Sequence, residues 1–284
     1  MEGKKNKSLL IGSAITLIAA FFAVILRTYG LVYLTDSSSG FYTNPSHWSV
    51  IVLDITVVFV CVLGIAVGII NKDKKLEINT EKNVFIGSAS ILFAISLLAD
   101  FATQAVNIFE LFVNFNGLLP LRVYLYQAGI IPMIFQGLSA FFAAFLFGLY
   151  GLKRFGKKIE FEKNFKIIAL APVIWLMCRM VVHFMVAINY LNVSQRAFEM
   201  FTIAFAMLFF FMFTRSLAGI GKQQSIGKFI AFGFPLVILA AVISLPRLLV
   251  AISGNSFLLV QSDATAVTDL MMGVFAVSKL FDKR

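Results

Sequence analysis

The 284-residue chain has few of the residues that build soluble enzymes and disulfide-stabilised domains. Only 13% of its residues are charged, against about a quarter in soluble domains, which excludes a soluble globular protein and a disordered chain. Two cysteines (Cys61 and Cys178) and two histidines exclude a disulfide scaffold and predict no metal site. Catalytic and nucleotide-binding signatures such as the P-loop are missing. We therefore predict a non-enzymatic protein without a cofactor.

Long apolar segments dominate the rest of the chain, which is 60% hydrophobic. A helix needs about 20 apolar residues to cross a hydrocarbon core of roughly 30 Å. Eight segments meet this requirement, although the last one contains several polar residues: 9–34, 49–70, 84–106, 128–152, 165–190, 197–217, 228–252 and 258–280. The sequence thus predicts an all-α, polytopic membrane protein with about eight transmembrane helices in a lipid bilayer.

The positions of the basic residues predict the orientation of these helices. Of the 24 lysines and arginines, three (Arg27, Arg179 and Arg247) lie deep inside predicted spans and two (Arg122 and Arg196) lie in outer connections. The other 19 lie in the termini, in the inner connections or at the inner ends of the predicted spans. Positive residues mark the cytoplasmic side, so both termini are expected to be cytoplasmic. The net charge of +10 therefore predicts topology and not nucleic-acid binding.

The layout favours the cell (inner or plasma) membrane of a bacterium, with a basic inner face on which a cytoplasmic or membrane partner protein could dock.

The order of charges also predicts an internal repeat. Arg27 and then Asp54 occur in the first two spans, and Arg179 and then Glu199 occur in spans five and six. Residues 1–158 and 159–284 would form two four-helix membrane units in parallel orientation.

Ionisable and polar groups gather in the outer half of the predicted bundle. In span three, polar side chains recur at spacings of four, three, four and three and fall within about 80° of one another on a helix. These are Ser96, Asp100, Thr103, Asn107 and Glu110. Lipid cannot satisfy such a stripe, so it should face the bundle interior or a cavity. Together with an apolar inner half, this predicts an outward-facing polar vestibule.

The predicted ligand-binding residues are the polar groups at this depth. They are Arg27, Asp54, Asp100, Thr103, Asn107, Gln136, Arg179, His183, Glu199 and Arg247. Sequence order favours the ion pairs Arg27–Asp54 and Arg179–Glu199, either as locks between helices or as parts of a site. The first outer connection contains Phe41, Tyr42 and Trp48, which would form an interfacial anchor or a lid.

Three function classes remain open at this point. The leading hypothesis is a transporter, or a solute-binding membrane component, for a small anionic or zwitterionic solute held by the three arginines. The alternative is a non-transporting membrane sensor or scaffold subunit that binds a ligand or partner in the outer half. A third class, an intramembrane enzyme, would use Asp100, Glu199 or His183 as acid or base.

Overall fold

A computed structural model describes most of the chain. The described residues are 2–36, 42–73, 81–115, 117, 120–157, 168–185, 193–219, 225–253 and 263–282. Within them the regular secondary structure is helical, and isolated bridges occur between Thr35 and Tyr42 and at Ser225. This agrees with the all-α prediction and follows from long runs of helix-compatible apolar residues.

Nine α-helices and one π-helical turn occur in the described residues. The α-helices are α1 (Glu2–Tyr29), α2 (Trp48–Ile70), α3 (Val84–Val113), α4 (Leu121–Gln127), α5 (Ile130–Arg154), α6 (Ala171–Met185), α7 (Val193–Leu217), α8 (Ile226–Ile252) and α9 (Asp263–Leu280). The π-helical turn, Gly30–Leu34, extends α1 at its C-terminal end, which lies on the side of the bundle that the predicted orientation makes the outer side. Gly129, with φ of 75°, separates α4 from α5. Only glycine adopts this conformation readily.

Six of the described helices are long and apolar enough to cross a membrane: α1, α2, α3, α5, α7 and α8. The 15-residue helix α6 is apolar but shorter, and residues 186–190 of predicted span five lie outside the described residues. Helix α9, which carries Asp269, is not among the six. The total of eight spans and the placement of both termini therefore stay predictions.

Helix α8 is the central element of the bundle. It packs against α1, α2, α7 and α9, and 78% of its most apolar stretch is buried. Helix α3 packs against α5 and α9, and α6 packs against α5 and α7. Helices from both halves of the chain thus share one core. The two predicted units, and the repeat that they imply, stay predictions.

Two glycines of α2 allow the closest helix contact in this core. Gly64 and Gly68 face α8, where an added methyl group on Gly227 would lie 2.2 Å from the carbonyl oxygen of Gly68. Small residues at a spacing of four permit such backbone approach in membranes. The α1–α2 hairpin is therefore attached to the bundle through α8.

An aromatic layer fills the inner half of the bundle. Phe93 stacks on Phe210 with ring centroids 5.5 Å apart, and Phe147 stacks on Phe213 at 6.0 Å. Phe275 of α9 contacts Phe93 and Phe147. All five rings are buried. This layer accounts for the apolar character of the inner half.

Candidate functional site

Arg27 lies in the outer part of α1, directly before the π-helical turn. Its guanidinium group donates a hydrogen bond to the Tyr42 hydroxyl and lies over the rings of Tyr42 and Phe198, 5.6 and 5.4 Å from their centroids. The bridge between Thr35 and Tyr42 places Tyr42 next to the end of the π-helical turn. The Tyr42 ring then packs so close to Gly30 that a Cβ there would lie 3.3 Å from it. The Tyr42 side chain thus shields the buried guanidinium group of Arg27.

A second arginine, Arg247 of α8, forms an ion pair with Glu199 at the outer end of α7. Both side chains are buried. His183 of α6 completes this group, with Nδ1 3.9 Å from Glu199 Oε2. The ion pair joins two neighbouring helices and leaves Glu199 between a guanidinium and an imidazole.

Arg179 of α6 pairs with Asp269 of α9 through two parallel contacts. Nη1–Oδ1 is 2.5 Å and Nη2–Oδ2 is 2.8 Å. The Arg179 guanidinium carbon lies 5.8 Å from the centre of the Trp175 ring, one helical turn earlier. The fork of an arginine matches a carboxylate in this geometry, which makes such pairs strong and directional.

Asp100 of α3 is held by uncharged donors. Its Oδ2 accepts hydrogen bonds from Trp175 Nε1 at 2.7 Å and from Gln136 Nε2 at 3.2 Å, and its Oδ1 accepts one from Gln104 Nε2 at 3.4 Å. Asp100, Gln104 and Gln136 are buried. Three helices therefore converge on one carboxylate at the centre of the bundle.

The remaining predicted site residues lie outside these contacts. Asp54 is exposed on α2, and although it attracts Arg27 electrostatically, the two form no ion pair. Thr103 and Asn107 of α3 are half-buried, and the Thr103 hydroxyl donates to the Ala99 carbonyl of its own helix at 2.9 Å. The polar stripe of α3 therefore runs from the buried core toward the outer surface.

Both predicted ion pairs are wrong. Arg179 binds Asp269 instead of Glu199, and Glu199 binds Arg247, while Arg27 binds Tyr42 instead of Asp54. Arg179 still lies near enough to Glu199 and Asp100 for electrostatic attraction. Depth in the membrane was predicted from sequence, but partners depend on which helices are neighbours.

The described residues leave almost no space for a ligand beside Arg27 and Arg247. A void of about 10 Å³, roughly the space of one water molecule, adjoins both Arg27 and Arg247. It is lined by Arg27, Leu31, Phe198, Val242, Ile243 and Arg247. A cavity of about 400 Å³ elsewhere has a purely apolar lining that includes Phe21, Val237 and Val274. Around Arg27 and Arg247 the described side chains thus pack closely where the sequence predicts an open vestibule, because Glu199 binds Arg247 and aromatic rings contact Arg27.

A second polar cluster, at the inner ends of α5 and α9, was not predicted. Asp282 accepts from Arg154 at 2.7 Å and from Lys279 at 2.6 Å, and Lys279 Nζ donates to the Tyr150 hydroxyl at 3.1 Å. All four side chains are buried. In the sequence, Arg154 and Lys279 belong to basic inner segments that are expected to be solvated, and no periodic signal distinguishes them.

A scan against protein-family models found no match for this chain, and searches of curated proteins and of solved structures found none either. The class of protein is defined by the fold itself. Six long apolar helices around a buried polar network make it a multi-pass helical membrane protein. Any more particular function has to be argued from the chemistry of these side chains.

Proposed function

We propose that this protein is a transporter, or a solute-binding membrane component, for a small solute that carries a negative charge. Its anionic group would bind between Arg27 and Arg247 in the outer half of the bundle. Binding or transport of a solute involves no chemical reaction, so the proposed protein is not an enzyme.

The observation that carries this proposal is an excess of positive charge at one buried place. Arg27 and Arg247 line the same void and repel each other, whereas Glu199 is the carboxylate paired with Arg247. Among the described residues, Arg27 has no carboxylate within ion-pair distance and is stabilised by a phenol and two aromatic faces. Ionisable groups inside a membrane mark substrate or ion pathways by default. A carboxylate or phosphate group would satisfy both guanidinium groups at once.

The sealed void implies that the solute enters only after a movement. Tyr42 covers Arg27 from the outer connection, so displacement of this ring would open a path from the outer surface. The aromatic layer below would keep the inner side closed while the outer side is open. Rocking of the helices around α8 would then exchange the two states in a transporter.

Binding of small anions to the purified protein tests this proposal. The probes are inorganic phosphate, succinate and glutamate, with glycine as a zwitterion and choline as a cationic control. We expect an anion to bind, and Arg27→Gln to weaken it by about 2 kcal/mol or more, which is roughly 30-fold. Arg122→Gln is the matched control, because Arg122 is exposed on α4.

Tyr42→Phe separates a binding site from a structural contact. The variant removes the hydroxyl that accepts a hydrogen bond from Arg27. The guanidinium group is then available to an anion, so anion affinity should rise by up to about tenfold. If no probe binds folded wild-type protein, or if Arg27→Gln and Arg122→Gln behave alike, the proposal is wrong. Counterflow of the bound solute in proteoliposomes would assign transport. Binding without flux would favour the sensor or scaffold alternative, with a partner protein on the basic inner face.

A further inference from the structure

Asp100 differs from the other two buried carboxylates of the network in its partners. Asp269 is paired with Arg179, and Glu199 is paired with Arg247. Asp100 instead receives three N–H groups from neutral side chains, and no cation of the described residues lies within ion-pair distance of it. These N–H groups stabilise the carboxylate in part, but a carboxylate without a cationic partner is still costly inside a bilayer. A carboxyl group can remove that cost by binding a proton.

The charges around Asp100 do not already neutralise it. Arg179 on α6 attracts it, but the guanidinium fork of Arg179 is bound to Asp269 on α9. Helix α5 presents the neutral Gln136 at this point. On α3 itself the next carboxylate is Glu110, which is exposed about 15 Å further along the helix.

The amide of Gln136 provides a place for the proton. Its Nε2 donates to Asp100 Oδ2, while its Oε1 is buried and has no hydrogen-bond partner in the described part of the chain. Rotating the Gln136 amide by 180° exchanges the positions of Nε2 and Oε1, and the side chain keeps almost the same shape. Oε1 would then accept a hydrogen bond from a proton on Asp100 Oδ2, and Trp175 Nε1 could keep donating to the same oxygen.

We propose that Asp100 is a proton-binding site in the membrane interior, with Gln136 as the amide that turns over when the proton arrives. The proton comes from water and bonds to Oδ2, so the carboxylate becomes a neutral carboxyl group, and it returns to water on release. A metal cation fits this place less well, because N–H groups already point at both carboxylate oxygens. The site stands independently of the anion site at Arg27.

Infrared difference spectroscopy on a pH step tests this proposal directly. Lowering the pH should produce a C=O stretching band of a protonated carboxyl group that shifts in D2O. We expect Asp100→Asn to lose this band and Glu110→Gln, the control on the same helix, to keep it. Gln136→Met should keep the band but raise its frequency, because the carboxyl group loses its hydrogen-bond acceptor.

Absence of an Asp100-dependent band at every pH at which the wild-type protein remains folded would overturn the proposal. If Asp100→Asn does not fold, judged by size-exclusion chromatography and circular dichroism, the Gln136→Met spectrum decides instead. An unchanged frequency in that variant contradicts the proposal, and a shifted one supports it. Failure of anion binding at Arg27 would leave the band in place, so the two proposals can fail separately.

Discussion

The pair between Arg179 and Asp269 gives the sharpest test of the packing of this bundle. Both side chains are almost fully buried, with 4% and 2% of their surfaces exposed, and two hydrogen bonds join them. Removing one partner leaves the other charge without compensation, which costs about 3–5 kcal/mol in a protein interior. We expect Arg179→Gln and Asp269→Asn each to lower the free energy of unfolding by that amount.

The double variant should lose less than the sum of the two single variants, because both charges are then gone. The coupling energy between the two positions should reach roughly 2–3 kcal/mol. A second cycle, with Arg179→Gln and Glu199→Gln, should give less than about 1 kcal/mol, because Glu199 is paired with Arg247. Arg122→Gln on the exposed surface should change stability by no more than about 0.5 kcal/mol.

Reversible unfolding in mixed detergent and SDS micelles, followed by far-ultraviolet circular dichroism, measures these energies. Fluorescence is less suitable, since Trp175 contacts Arg179 and its signal would change with the substitution. A larger coupling of Arg179 to Glu199 than to Asp269 would refute the reasoning and restore the pair favoured by sequence order. If Arg179→Gln and Asp269→Asn lower the free energy of unfolding no more than Arg122→Gln does, the pair is not buried.

Two further predictions concern helix contact and orientation. Gly227→Ala should destabilise the protein by about 1–3 kcal/mol or more, since the new methyl group would meet the Gly68 carbonyl, whereas Gly148→Ala has open space and should be neutral in the same unfolding assay. In protein whose native cysteines are replaced, Asn44→Cys should react with an impermeant thiol reagent added outside intact cells, and Lys157→Cys only after lysis. The opposite labelling pattern would invert the predicted orientation.

Helix positions were predictable because hydropathy is a local property. The predicted segments 49–70 and 197–217 end at the residues where α2 and α7 end, Ile70 and Leu217. The end of α3 was missed, since the segment 84–106 continues as a helix to Val113. Backbone hydrogen bonding continues past the apolar stretch, and Glu110 is exposed within this extension. Apolar length therefore predicts a span better than it predicts a helix end.

Most charged members of the polar network were predictable, but their contacts were not. Arg27, Arg179, Glu199 and Arg247 are buried, as intramembrane charges must be when lipid cannot solvate them. Asp269 was absent from the predicted site, because its span is weakly apolar and 90 residues separate it from Arg179. Tyr42 was predicted as an interfacial anchor or lid but not as the partner of Arg27. Trp175 carries no signal in the sequence, since aromatic residues in a membrane chain are ordinarily core or interfacial side chains.

The amino-acid sequence by itself determines that this chain is helical and membrane-embedded, because backbone groups in lipid must be satisfied within each segment. It also predicts the position of each charge along its helix, since that position follows from the rise per residue. Only the tertiary structure decides which charges meet. Neighbouring helices are chosen by the fit of surfaces, such as Gly68 against Gly227, and this fit brings Arg179 to Asp269 and leaves Asp100 among neutral donors.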